Sequence, residues 1–275
     1  MQTPLPSDMG LRQAKPATGH GLLYACRTAR AWWYSAWLRT LARFSRTTLG
    51  SFWMGLSNLL SVAVLGVVYS TVLKVPDPLN YIIFLGFGIT IWGLISMSSL
   101  AGSTLFTLRR DQLVNNALPS IFYCLEEWAF QLQTFVQAFV VILVAFAFVD
   151  PGLLRNAVQY IWLPMLNLSL FSFWIIVLMA VLGARFKDFA QLMPILLQLL
   201  FLVSPILYKR EGLGRLSILA DFNPFYQALA PVRNALIDGQ LNFGRELLSL
   251  GINGLGVLLA VWALKRLRYR LPLWV

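Results

Sequence analysis

Charge is absent from six long runs of this chain, residues 52–73, 81–108, 128–149, 156–184, 189–208 and 247–264. The shortest run has 18 residues and the longest 29. A helix rises about 1.5 Å per residue and a bilayer core is about 30 Å thick, so about 20 apolar residues cross it. The pattern predicts an all-α membrane protein with six transmembrane helices. No loop between the runs is long enough for a separate catalytic domain.

Ahead of the first run, residues 21–46 read as an amphipathic helix. Trp33, Trp37, Leu41 and Phe44 share one side of the wheel, and Arg39, Arg43 and Arg46 fall opposite. Aromatic residues in the headgroups and arginines toward the cytoplasm suit an interfacial helix. Arg27 and Arg30 sit nearer the apolar side and would snorkel. The pattern alone fits a surface anchor better than a docking surface for a cytoplasmic partner. Residues 1–20 are polar and rich in Pro and Gly, with no apolar core of a signal peptide, and are expected to be a disordered tail. The division expected is therefore a tail (1–20), an interface helix and turn (21–50) and a six-span domain (51–275). That domain includes an outer helical segment at 209–246 and a C-terminal tail at 265–275.

Within the outer segment, Asn223-Pro224 reads as an N-cap followed by proline at the first helical position. A helix then runs to about Ile237, with Pro231 inside it and Asp238-Gly239 ending it. Its mix of Phe225, Tyr226 and Arg233 suits a helix at or dipping into the outer membrane surface. The other outer connections, Lys74 to Pro78 and Asp150-Pro151-Gly152, are turns.

Composition agrees with the runs. The chain is 58% hydrophobic and 12% charged, against about 25% charged in a soluble domain. Of its 22 Lys and Arg, fifteen lie before run one, between runs two and three, between four and five, or after six. Both termini are thus expected in the cytoplasm. The net charge of +11 is explained by a face held against anionic membrane lipid, with no nucleic acid needed.

The chemistry that is missing is informative. No G-x-x-x-x-G-K-S/T is present for ATP. The single His20 lies in the tail, so neither a Ser/His/Asp set nor a His-rich metal site can form, and no metal or catalytic residue is expected. Cys26 and Cys124 fall toward the cytoplasmic side, where a disulfide is not expected. Glu126 and Glu127 are adjacent, but i and i+1 diverge by about 100° on a helix and do not converge on one atom. Pairing with nearby basic groups explains them better than acid–base chemistry. Without ionisable groups at the midplane, the chain has no energy source of its own.

Several motifs then line up. Arg43-Phe44-Ser45-Arg46-Thr47-Thr48-Leu49-Gly50-Ser51-Phe52-Trp53 resembles the R-Y/F-x-R-S/T-x-L-G-x-x-W signature of type-2 ABC-transporter permeases that export polysaccharide. The Wzm-type O-antigen exporters of lipopolysaccharide assembly are the nearest group. Ala184-Arg185-Phe186-Lys187-Asp188 resembles that family's A-R-F/Y-R/K-D loop, and Ser204-Pro205-Ile206 its S/T-P-I. Asn223-Pro224-Phe225-Tyr226 with Arg233 resembles its outer N-P segment. Residues 113–119 resemble its L-I-x-x-x-P loop but lack the usual basic residue before the proline segment.

The resemblance implies a homodimer, each copy supplying half a channel, in a bacterial inner membrane. It implies docking on a cytoplasmic ABC ATPase that holds the ATP and Mg, this chain carrying no cofactor. Docking or carrier contact would involve Arg39, Arg43, Arg46, Arg109, Arg110, Asn116, Glu126 and Glu127. The substrate implied is a polyprenyl-diphosphate-linked polysaccharide, and the outer segment would form short re-entrant helices. Tyr81, Phe84, Phe87, Trp92, Phe201 and Tyr208 are candidate rings for stacking on sugars. A type-2 permease for a drug, haem or small lipid is an alternative. A membrane-embedded glycan-modifying enzyme is another, disfavoured by the lack of intramembrane His or Asp.

Overall fold

The computed structural model describes residues 22–45, 47, 52–115, 118–210, 214 and 217–275, and every regular element among them is a helix. Among the described residues, five helices are long and apolar enough to cross a membrane: α3 (Phe52–Val72), α4 (Pro78–Leu108), α6 (Ser120–Ala147), α8 (Trp162–Arg185) and α12 (Phe243–Leu267).

Two runs differ from the six-span expectation. The fifth forms α9 (Phe189–Val203), 15 residues long and so about 22 Å, shorter than a bilayer core. Its end is set by Pro205, which forces Ser204 into extended geometry (φ −79°, ψ 130°). Residues 204–208 then continue as a turn instead of helix. The run 156–184 is broken at Ile161 into α7 (Gly152–Tyr160) and α8. Pro164, in the first turn of α8, marks the new start, where a missing N–H costs nothing.

The long helices are not equivalent. The most apolar window of α4 is 67% buried, those of α3 and α12 only 17% and 22%. Accordingly α4 is the central helix, packed by α3, α6, α8 and α9. Small residues allow the closest approach. A Cβ on Gly183 of α8 would overlap the Ser103 carbonyl of α4, and one on Gly102 would lie 2.8 Å from the Ile176 carbonyl. Phe87, Phe139 and Phe146 fill the adjoining α4–α6 seam. Many hydroxyls in the bundle, such as those of Thr90, Ser99 and Thr134, bond their own helix backbone, while a few polar side chains tie one helix to another. Asn58 donates to Thr90 (2.9 Å), Trp128 to the Ser169 carbonyl (2.9 Å) and Trp174 to Asn253 (3.0 Å).

At one end of the bundle the chain begins with α1 (Leu22–Arg27) and α2 (Ala29–Phe44), separated at Thr28. Residues 265–275 are not a free tail. After α12 the chain forms α13 (Leu271–Trp274), whose Leu271 is buried beside Leu113 of α5 (Arg110–Val114). At the other end, α10 (Ser217–Phe222) leads into α11 (Pro224–Ile237). Helix α11 is wedged against α4, α7 and α8, and eight of its 14 residues are buried. It ends where Gly239 takes φ +61°, beside Asn156 of α7.

Candidate functional site

Two clusters of functional side chains occupy opposite ends of the bundle. The first forms where α2 crosses α6. Ala36 and Thr40 are buried against Ala129, Phe130 and Gln133, because small side chains let the helices touch. Trp33, Trp37 and Leu41 point away from the protein, so the aromatic side is left uncovered. Arg39 lies opposite that side, where the wheel places it. It turns inward: its guanidinium lies 2.7 Å from the Glu127 carboxylate and 4.0 Å above the Phe130 ring. The neighbouring acid uses a different partner, Glu126 receiving Arg109 of the α4–α5 junction at 3.1 Å. Glu127 also accepts from Gln131 at 2.8 Å. Both carboxylates are buried, which is costly for a charge unless it is paired. Adjacent acids therefore fasten two elements, α2 and the α4–α5 junction, to one turn of α6.

Arg43 and Arg110 are exposed on the same end, whereas Arg46 and Asn116 lie outside the described residues. Arg185 sits over Trp274 at 5.7 Å, joining the α8 terminus to α13. Together α1, α5, α13 and the start of α6 make a packed platform around Leu113, Ile121, Leu264 and Leu271.

The second cluster is built on the turn after α9. Asn223 caps α11 by accepting from the Phe225 N–H (3.0 Å) and donates to the Ser204 hydroxyl (2.8 Å). Arg233 is 2% exposed, donates to the Pro205 carbonyl at 2.8 Å and lies 3.9 Å over Phe84. Tyr81 donates to the Leu207 carbonyl at 2.6 Å. Turn 204–207 is thus held from α4 and α11 at once. Pro224 stays exposed at the first helical position, while Phe225 and Tyr226 are buried.

Above this turn opens a cavity of 1040 Å³. Most charged groups on its wall are engaged. Arg210 binds Asp221 through Nε at 2.8 Å, and that bond holds the Asp221 carboxyl below its ordinary value. Asp77 caps α4, Asp150 accepts from the Gly152 N–H at 2.8 Å, and Arg245 donates to Gln227.

The proposed stacking rings separate into three groups. Phe87 is wholly enclosed between Phe139 and Phe146, so it has no face for a ligand. Trp92 is buried against Phe201 and Phe225, which makes it a packing hub between α4, α9 and α11. Tyr81 and Phe84 line the outer cavity; Tyr208 donates to the Leu202 carbonyl. Asn234 and Asp238 also line the cavity; the sequence marked Asp238 only as part of the helix-ending Asp238-Gly239, and the i, i+4 spacing of the two was the available signal.

Comparison with known proteins relates the chain to a family and to a characterised relative. The family model described as ABC-2 type transporter matches residues 31–237. A relative, the O-antigen export system permease protein RfbA of Klebsiella pneumoniae, is 23% identical over 205 residues. The alignment covers 73% of this chain and 78% of the relative.

Proposed function

Since the chain belongs to the ABC-2 type transporter family, a family of multi-pass membrane transporter components, we propose that it is the permease subunit of a polysaccharide exporter. It passes a lipid-linked glycan of the O-antigen kind across a bacterial inner membrane. A separate cytoplasmic ABC ATPase, carrying ATP and Mg, supplies the work. The observation that carries this reading is the pairing of Arg39 and Arg109 with adjacent buried acids. A displacement of α2 or of the inner loop is thereby passed to α6, and through it to the bundle. The similarity to an O-antigen export permease supports the substrate class.

In this reading the chain crosses the membrane six times, both termini being cytoplasmic. The short α9 completes its crossing through turn 204–208. Two copies enclose the path. The outward face of α9 supports this, since Gln191 and Gln198 are exposed one heptad apart, and unsatisfied amides in lipid are costly. A second copy set against α9 shields both.

Deletion of the gene is the test. The expected result is loss of surface glycan with lipid-linked polymer accumulating inside the cell. Normal surface glycan in the deletion strain overturns the reading.

A further inference from the structure

We propose that the outer cavity is a binding site for a neutral, hydroxyl-rich oligosaccharide segment. This rests on the export reading above and adds a place where the chain is held as it leaves the membrane.

The size fits a segment of chain and not an ion. At 1040 Å³ the cavity is at the top of the range of about 300–1,000 Å³ usual for organic ligands. Its charge argues for a neutral occupant. Four carboxylates on the wall face four cations, and three of the four carboxylates are already bonded: Asp77 as the cap of α4, Asp150 to the Gly152 N–H and Asp221 to Arg210. No excess of either sign is left to select a polyanion or a metal cation.

What is left over is suited to hydroxyl groups. Among the described residues, the side chains of Lys209, Asn234 and Asp238 make no hydrogen bond, and all three are exposed and line the cavity. Asn234 on α11 and Asp238, its C-cap still in helical geometry, lie one turn apart, so they project side by side. An amide offers both donor and acceptor, and a carboxylate accepts only. Side by side they match adjacent sugar hydroxyls, each of which donates and accepts. Lys209, in the segment after α9, adds donors. Phe84 supplies an apolar wall for sugar C–H groups; Arg233 covers one of its faces and fixes its orientation.

The test uses the full-length protein in lipid nanodiscs. The probe is the host's surface polysaccharide freed from lipid by mild acid, with binding followed by isothermal titration. Inorganic phosphate serves as the anionic comparison. Asn234→Ala combined with Asp238→Asn, and separately Lys209→Gln, are each expected to weaken glycan binding about tenfold, the effect of one or two lost hydrogen bonds. Phosphate is expected neither to bind nor to compete. Because all three side chains are exposed and unbonded, these variants are expected to reach wild-type membrane levels. Unchanged affinity in both variants, absence of binding to the wild type, or competition by phosphate overturns the proposal. If that happens while the deletion strain still loses surface glycan, the cavity assignment alone is wrong. If the deletion strain keeps its glycan, both readings fall together.

Discussion

Charged groups at the two ends of this bundle are used in opposite ways. At the inner end, two carboxylates on one turn of α6 are buried and joined to arginines from distant elements. At the outer end, Arg210 and Asp221 are near neighbours in sequence and both about 40% exposed or more. A buried pair is costly to separate, so it transmits position. An exposed pair separates readily and transmits little. The difference teaches where force can enter this molecule. The inner end is a rigid coupling, and the outer end is a bowl with replaceable polar walls.

The sharpest way to break that comparison is a double-mutant cycle on Arg39 and Glu127. Arg39→Met leaves Glu127 buried with only Gln131 beside it. Its loss of stability is expected to be about 3 kcal/mol, the low end for broken buried pairs because Arg39 is partly exposed. Glu127→Leu should cost less, since Arg39 can swing toward water. Both changes together should recover much of the loss, because an apolar pair replaces an ion pair without an orphaned charge. Unfolding in detergent micelles measures this. Additive losses would mean that the pair is no clamp. In membranes, either single change should also uncouple partner-stimulated ATP hydrolysis from export.

A smaller effect is expected at the outer turn. Asn223→Ala removes the cap of α11 and leaves the buried Ser204 hydroxyl without its bond. The expected cost is about 1–2 kcal/mol. It should appear as faster amide exchange confined to α11 and turn 204–208, with α2 and α6 unaffected. Exchange that speeds up equally at both ends would show that the ends are not independent.

Much of this arrangement was open to reading in the sequence, and the exceptions have physical causes. Uncharged runs located every long helix, because the cost of a charge in lipid leaves a gap that composition records directly. They failed at Ile161 and at Ser204, where backbone geometry, not hydrophobicity, decides the boundary. Pro164 and Pro205 were the signals available there. The wheel identified the outward aromatic side of α2 and set Arg39 opposite it, but it could not name the partner there. Nothing local reveals that Glu127 lies across from it. The same limit hid the meeting of Tyr81, Ser204, Asn223 and Arg233. Three of the four belonged to recognisable motifs, yet their convergence on one turn depends on how α11 wedges between α4, α7 and α8. Phe87 and Trp92 show the reverse error. An aromatic residue in a membrane helix fits a channel wall as well as a core, and only packing separates the two.

The smallest effect concerns Asp221, and it bears on the outer half of the comparison alone. Arg210 donates to its carboxylate, and Arg245 adds attraction, so the folded state releases the Asp221 proton more readily than the unfolded chain does. The sign follows from linkage. Whatever stability the pair gives is present above the ordinary carboxylate value and is lost as pH falls through the depressed folded value. Asp221→Asn should therefore melt slightly below the wild type at neutral pH, and the two curves should converge in acid. High salt should produce the same convergence at neutral pH, because exposed charges are screened. The Arg39→Met difference should persist in high salt, since Glu127 remains buried. If salt erased both differences equally, burial would not distinguish the two ends, and the inner pair would be no stiffer a coupling than the outer one.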